Sequence, residues 1–559
     1  MSSPISALPP IPPQEMTPTV RLLLAFIEQQ QQRIEQLQQQ VQQQQTQIGT
    51  LQDEVARLQK RPAKPKIRPS TLPKDDEKSD DKDDNPNDDD DAGQGGASRG
   101  SSKKRASRKR KKTLTIHKTV IIKPEALPPG SRLLGYEDFT VQDLLIQPDN
   151  TRYRLARYRT PDGQALIGKL PQAVRQGGHF GITLKGYILY QYYHQRVTQP
   201  LILQQLTEWG VAISSGHISR ILTEEKADFH AEKDALLSAG IHHSAYIQVD
   251  DTGARHNGKN GYCTHVGNDA FAWFASTASK SRINFLQLLR GASLDYTISP
   301  AAIDYMRSEG LPKTPLARIE QNPQIVLEDE QAWQAHLQRL GIRKQRQVRI
   351  ATEGALLGTL IANGFSPDLA IISDDAGQFN VLLHALCWVH ANRVFQRILP
   401  LNDRHAKEID WVHTQIWEIY ADLKRYKCQP TAARKAAIEA YFDELCHTKT
   451  SFATLNQALK RLASNKSELL LVLQRPDIPL HNNLSEGDIR EYVIKRKISG
   501  STRSENGRRC RDTFASLKKT CKKQGLSFWE FLTDRLHQQH LIPYLPDLLA
   551  GKASLLKAS

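Results

Sequence analysis

The stretch Ala245-Tyr246-Ile247-Gln248-Val249-Asp250-Asp251-Thr252-Gly253 ends an apolar, β-prone run in two carboxylates and a glycine. Such a run reads as a buried strand whose acids emerge at its exposed end. The pattern returns as Leu369-Ala370-Ile371-Ile372-Ser373-Asp374-Asp375-Ala376-Gly377, and a third carboxylate, Glu486, opens a helix in Asn482-Asn483-Leu484-Ser485-Glu486. Folded together, Asp250, Asp374 and Glu486 would hold two divalent metal ions. A two-metal site stabilises both the attacking and the leaving oxygen of an in-line phosphoryl displacement. Each signal also has a plain reading. Asp-Asp before Thr-Gly marks an ordinary strand-to-turn corner, because Asp bonds its own backbone there. Asn483-x-x-Glu486 fits a capping box.

The surroundings favour the chemical reading. The chain has 559 residues, room for several domains, and a formal net charge of +16. That balance points to a polyanionic partner, nucleic acid first. Six cysteines without paired spacing indicate a reducing compartment. No apolar run is long enough for a membrane span, and the N-terminus lacks a signal peptide's order, so a cytoplasmic protein is expected.

The elements that must position these residues follow in chain order. Residues 1–16 are Pro- and Ser-rich and expected to be disordered. Over 17–60 a heptad sets Val20, Ile27, Ile34, Val41, Ile48 and Val55 at a, and Leu23, Gln30, Leu37, Gln44, Leu51 and Leu58 at d. β-Branched a with Leu at d predicts a parallel two-stranded coiled coil about 60 Å long. The alternative is a Gln-rich segment that is merely helix-prone. Residues 61–112 pass from an acidic run to a basic block, an expected disordered linker. Residues 113–172 read as a small β-rich module with a hairpin turn at Pro161-Asp162-Gly163. Within 173–235, Pro200–Trp209 and Ser215–Lys226 flank a Gly-led link, as in a helix-turn-helix. His217, Ser219 and Arg220 would then face bases; the alternative is a generic helical hairpin.

The core is expected to be α/β and to run over 236–399 and 481–535. Strand 245–253, a hairpin around Asn268-Asp269, a helix over Ser281–Leu289 and a strand at Leu369–Ser373 follow a ribonuclease-H-like order. An irregular insertion is expected near 295–345 and an all-α insertion over 400–480. A helix over Phe379–Leu399 would carry Cys387 and His390 on one face. Zinc wants four ligands, so these two read as a packed or hydrogen-bonded structural pair. After Glu486, basic residues including Arg490, Lys495, Arg496, Lys497 and Arg503 suit phosphate contacts. Lys518, Lys519, Lys522 and Lys523 read as an exposed helix face. Residues 536–559 read as a C-terminal tail.

Gln248 to Arg255, Cys387-Trp388-Val389-His390, His481 through Glu486 to Arg490, Ile498-Ser499-Gly500-Ser501, and Phe528-Trp529-Glu530-Phe531-Leu532 resemble the DDE transposases of the insertion sequence 66 family. The resemblance implies Asp250, Asp374 and Glu486 as catalytic metal ligands, with Mg²⁺ or Mn²⁺ as two ions. It implies metal-dependent DNA cleavage and strand transfer at the ends of a bacterial mobile element. The partners would be double-stranded DNA at element ends and target, a second copy through the coiled coil, and helper proteins encoded by the same element. Asp251 stands where the family has Glu, and the family's Gly-Tyr after the second Asp is missing, which leaves Asp374 open against Asp375. The family's N-terminal cysteine cluster is absent. The rival reading is a catalytically inactive, dimeric DNA-binding regulator derived from a transposase.

Overall fold

The structure, a computed structural model, describes residues 115–123, 131–171, 174, 178–321 and 325–558. The expected coiled coil over 17–60 and the segments 1–16 and 61–112 lie outside the described residues. The chain divides into two units, Met1–Leu134 and Gly135–Ser559. The described part of the first unit has no regular secondary structure.

In the second unit, β1 (Arg157–Arg159) and β2 (Ala165–Ile167) pair across the Pro161-Asp162-Gly163 turn. Among the described residues this hairpin is the whole strand content of the expected β-rich module. Phe139, Leu144 and Leu145 stay exposed, and the described residues of the segment form no core of their own. Helices α1 (Ile182–Leu189), α2 (Gln199–Glu208), α3 (Ser215–Thr223) and α4 (Ala227–His242) follow. Ser214 caps α3 by accepting from the His217 backbone N–H. Helix α4 crosses the expected boundary at 235/236.

Next come β3 (Tyr246–Gly253), β4 (Tyr262–Gly267), β5 (Ala272–Thr277) and α5 (Arg282–Arg290). The region expected to be irregular near 295–345 is ordered. It holds β6 (Tyr296–Thr297), α6 (Pro300–Ser308), α7 (Lys313–Glu320), β7 (Val326–Leu327) and α8 (Glu330–Arg339), and leads into α9 (Gln345–Ala362). Buried Trp333, Ile303 and Leu316 give that region its apolar packing. At Gly358 a Cβ would stand 2.2 Å from the Thr297 carbonyl oxygen, so only glycine lets α9 lie this close to β6.

Strands β8 (Ala370–Ser373) and β9 (Leu383–Leu386) complete a sheet of order β5-β4-β3-β8-β9. β3, β4 and β5 are antiparallel; β3, β8 and β9 are parallel. The helix expected over 379–399 is therefore corrected: β9 takes its first part and α10 (Trp388–Gln396) its second. Leu382, at φ 54°, has a left-handed backbone that a helix excludes, and Leu383–Leu386 satisfy the open edge of β8.

The expected all-α insertion is α11 (Asp403–Cys428), α12 (Ala432–His447), α13 (Ala453–Ser464) and the single turn α14 (Lys466–Leu469). Its core continues onto Ala370, Ile372, Ala385 and Leu386 on one face of the sheet. Ile247, Val249, Val266 and Ile371 point to the other face, beneath α4, α5 and α9, as a two-residue period demands. The chain ends with α15 (Asn483–Ser499), α16 (Glu505–Lys523), α17 (Phe528–Leu536) and α18 (Leu545–Ala558). The expected C-terminal tail is also corrected. Leu545 and Leu549 are buried, and the Leu545 N–H donates to Glu232.

Helix α16 closes the open edge of β5. Ala272 N–H donates to Thr520 Oγ1 (3.1 Å), Phe274 N–H to Ser516 Oγ (2.8 Å) and Ser276 N–H to Asp512 Oδ2 (2.7 Å). Four residues of helix advance about 6 Å and two of strand about 6.8 Å, so the two repeats keep step over three contacts. An edge that would otherwise invite another strand is saturated.

Candidate active site

β3 and β8 bring the first two carboxylates together. Their register pairs Gln248 with Ile372. Asp250 lies two residues further along β3, on the face to which Gln248 points, and Asp374 directly follows the end of β8, near enough for its charge to act on Asp250. That face meets α15, because Gln248 Oε1 accepts from the Ser485 N–H at 3.3 Å. Glu486 is the next residue, in the first turn of α15.

Asn482 fixes this junction. Fully buried, it donates through Nδ2 to the Val249 carbonyl at 2.8 Å, and its own N–H donates to Cys387 Sγ at 3.2 Å. The capping-box reading of Glu486 is set aside, because no side chain caps α15. Instead Glu486 faces α10. Arg393 approaches its two carboxylate oxygens at 3.4 Å each, and His390 Nε2 stands 3.5 Å from Oε1. Arg393 also reaches His390 Nε2 at 3.0 Å. Cys387 and His390 thus both serve Glu486, the thiol through Asn482 and the imidazole directly. Arg393 is a residue the motif reading missed. Its signal was its place three residues after His390 on a helix.

Burial pushes the Asp250 carboxyl up to about 7, and the nearby charges of Asp374, Asp251 and Glu486 add to the rise. Its Oδ1 accepts from the Asp251 N–H at 2.8 Å, which opposes the shift without cancelling it. The two aspartates after them are engaged elsewhere. Asp251 accepts from Gln378 at 2.6 Å, with Lys280 3.9 Å away. Asp375 accepts from Arg461 Nε at 2.9 Å on the all-α insertion. Among the described residues, Asp374 accepts on its carboxylate only from the Ala376 N–H, at 3.2 Å.

The donor set suits a hard divalent cation: carboxylate oxygens in a half-buried site, where their mutual repulsion favours a cation. Among the described residues no three His, Cys, Asp or Glu side chains stand close enough to enclose an ion as placed. Arg393 occupies the charge of Glu486 in this arrangement.

Beneath the site lies a buried charge network. His265 Nδ1 meets Ser485 Oγ at 2.6 Å and its Nε2 stands 3.1 Å from Asp488. Lys523 and Lys519 approach Asp488 at 2.7 and 3.3 Å, and Lys519 and Lys518 approach Glu491 at 2.6 and 2.9 Å. Burial pushes His265 down, leaving the ring neutral near pH 7. Burial opposes ionisation of Asp488, but the bond from His265 and the charges of Lys523 and Lys519 hold its carboxyl below the usual range. Burial likewise opposes Glu491, which Lys518 and Lys519 pull down to about 2.

Three expectations fail here. Lys519 is buried, and Lys518 and Lys523 are nearly so, so they are not an exposed face. Lys495 does not reach out to phosphate. It is 7 % exposed, donates to the Tyr192 carbonyl at 2.7 Å and lies 3.5 Å above the Tyr192 ring. Burial, then the charges of Arg511, Lys518 and Arg196, push its ammonium down to about 7. Four residues per two helical turns of a docked helix must face inward, and Lys495 falls on that side. Arg496 is half-buried and donates to Thr252 Oγ1 at 3.2 Å. Arg220, Arg490, Lys497 and Arg503 are exposed.

Residues 330–509 match the family model described as Transposase IS66 family, a span holding Asp374, Cys387, His390, Arg393 and Glu486. The chain is similar to "Uncharacterized protein y4jO" of Sinorhizobium fredii, at 42 % identity over 322 residues. That alignment covers all of the relative and 57 % of this chain. An α/β sheet edged by paired carboxylates, with a third on a docked helix, fits a transposase-related protein. The chain belongs to the Transposase IS66 family. Among the described residues no helix is long and apolar enough to cross a membrane.

Proposed function

We propose that the protein is a DDE transposase that cleaves DNA at the ends of an insertion sequence and joins them to a target. The observation that carries this reading is the placement of Asp250 in β3, Asp374 directly after the neighbouring β8 and Glu486 in the first turn of the α15 docked against β3; burial first, and then the charges of Asp374 and Glu486, raise Asp250. The strand order and the docked α15 support a ribonuclease-H-like core. Helices α2 and α3 are read as the helix-turn-helix, with Arg220 toward bases. Asp250, Asp374 and Glu486 would hold Mg²⁺ or Mn²⁺, two ions in the full site. Bound there, the cations would activate a hydroxyl nucleophile and neutralise charge on the leaving oxygen. Asp374 is preferred to Asp375, whose carboxylate is already engaged by Arg461. Gln248, Asn482 and Cys387 orient the acids; Arg393 and His390 hold Glu486. The inactive-regulator reading would leave these three carboxylates without work.

The test is Mg²⁺- or Mn²⁺-dependent nicking and strand transfer by the purified protein on DNA carrying the element ends. Asp250→Ala, Asp374→Ala and Glu486→Ala should each lower the rate by at least about 10³-fold, with DNA binding retained, since each removes transition-state charge stabilisation. Near-normal cleavage by any one variant removes that residue from the site, and no cleavage by wild type sinks the enzymatic reading.

A further inference from the structure

Two loops far apart in sequence are stitched together beside the carboxylate end of β3. The β3–β4 connection runs from Ala254 to Gly261, and the loop after α15 from Gly500 to Ser504. Asn257 N–H donates to the Thr502 carbonyl at 2.8 Å, Thr502 N–H to the Arg255 carbonyl at 3.3 Å, and His256 Nδ1 meets Thr502 Oγ1 at 2.8 Å. The left-handed Asn257 (φ 47°) and Gly258 (φ 76°) turn the hairpin tip outward, and a Cβ at Gly258 would meet nothing.

The charge on these loops is one-sided. From 254 to 261, and from 497 in the last turn of α15 to 504, there are Arg255, Lys259, Lys497 and Arg503, and no Asp or Glu. All four are exposed. Among the described residues none of the four side chains has an ion pair, hydrogen bond or ring contact. Most other cations of α15 and α16 do have partners: Lys518, Lys519 and Lys523 in the buried network, Arg508 on Glu505, Arg509 on Asp234 and Arg511 on the Gly500 carbonyl. Unpaired cations on a pinned pair of loops, with glycines that let a backbone come close, match a run of phosphates rather than a protein surface.

We propose that the β3–β4 hairpin tip, the last turn of α15 and the loop after it form one clamp for the phosphate backbone of duplex DNA, with Arg255 and Lys259 as phosphate contacts alongside Lys497 and Arg503. The proposal rests on the nucleic-acid reading above. It places the strand beside the Asp250 end of the sheet, with no discrimination between sequences.

Binding of the full-length protein to a labelled random-sequence duplex is measured by anisotropy across a NaCl series. Each phosphate contact on duplex DNA adds about 0.9 to the log–log salt slope. Arg255→Ala with Lys259→Ala should therefore flatten the slope by about 1.8, and Lys497→Ala with Arg503→Ala by a similar amount. Lys460→Ala, an exposed lysine on α13, should leave it unchanged. Unaltered thermal melts confirm that these surface variants fold. A wild-type slope in the Arg255/Lys259 pair overturns the clamp even if cleavage is normal. Flattened slopes with a wild type that never cleaves uphold the clamp and remove the enzyme reading. No binding by wild type removes both.

Discussion

The cations that follow Glu486 divide into two populations within about thirty residues. Lys518, Lys519 and Lys523 sit under α15, paired with Asp488 and Glu491. Lys497, in the last turn of α15, and Arg503, on the loop after it, have no partner among the described residues. The same residue types do two jobs. The buried set fixes the helix that carries Glu486; the exposed set is left for a polyanion. Neutralisation by protein carboxylates, more than position in the sequence, separates them.

The largest effect that tests this division is on stability. Asp488→Ala leaves Lys523 facing a buried site without its counter-charge and Lys519 with Glu491 alone, a change worth about 3–5 kcal/mol. Arg503→Ala, on the exposed loop, should stay within about 0.5 kcal/mol. Urea unfolding of both variants decides it: equal midpoints would erase the distinction between the two sets.

A smaller effect concerns pH. Asp250 has its carboxyl raised to about 7 in the folded protein, above the usual unfolded value near 3.9. The folded state then holds a proton that the unfolded state has released, so metal-free stability falls as pH rises from about 4 to about 7. Asp250→Asn should remove that component of the slope in thermal melts between pH 5 and 8. Mg²⁺ should stabilise the wild type more at pH 8 than at pH 5.5. A pH dependence unchanged in Asp250→Asn would assign it elsewhere.

The smallest expected effect is at Lys495. Its ammonium is lowered to about 7 by burial, so the folded state sheds a proton that the unfolded state keeps, and stability from this group rises with pH above 7. Lys495→Met keeps the length and apolar stem without the charge. It should leave the DNA salt slope at the wild-type value, in contrast to Lys497 with Arg503. A flattened slope would return Lys495 to the phosphate-binding set.

Much of the architecture was legible in local pattern. The strand ending at Asp250-Asp251, the 262–277 hairpin, the Ser281-capped helix and the all-α insertion all carry periodicities that arise within a few residues. The candidate acids were legible as types at strand ends and in a helix's first turn. Three matters needed the tertiary structure. Leu383–Leu386 look helical alone but became β9 because the edge of β8 needed a partner. Asp374 separates from Asp375 only through Arg461, which arrives from a helix more than eighty residues away. The burial of Lys495, Lys518 and Lys519 depends on which side of α15 and α16 meets the sheet. Sequence alone thus determined which groups could carry charge. Packing decided which charges are spent inside the protein, because pairing and desolvation depend on neighbours that only the folded chain supplies.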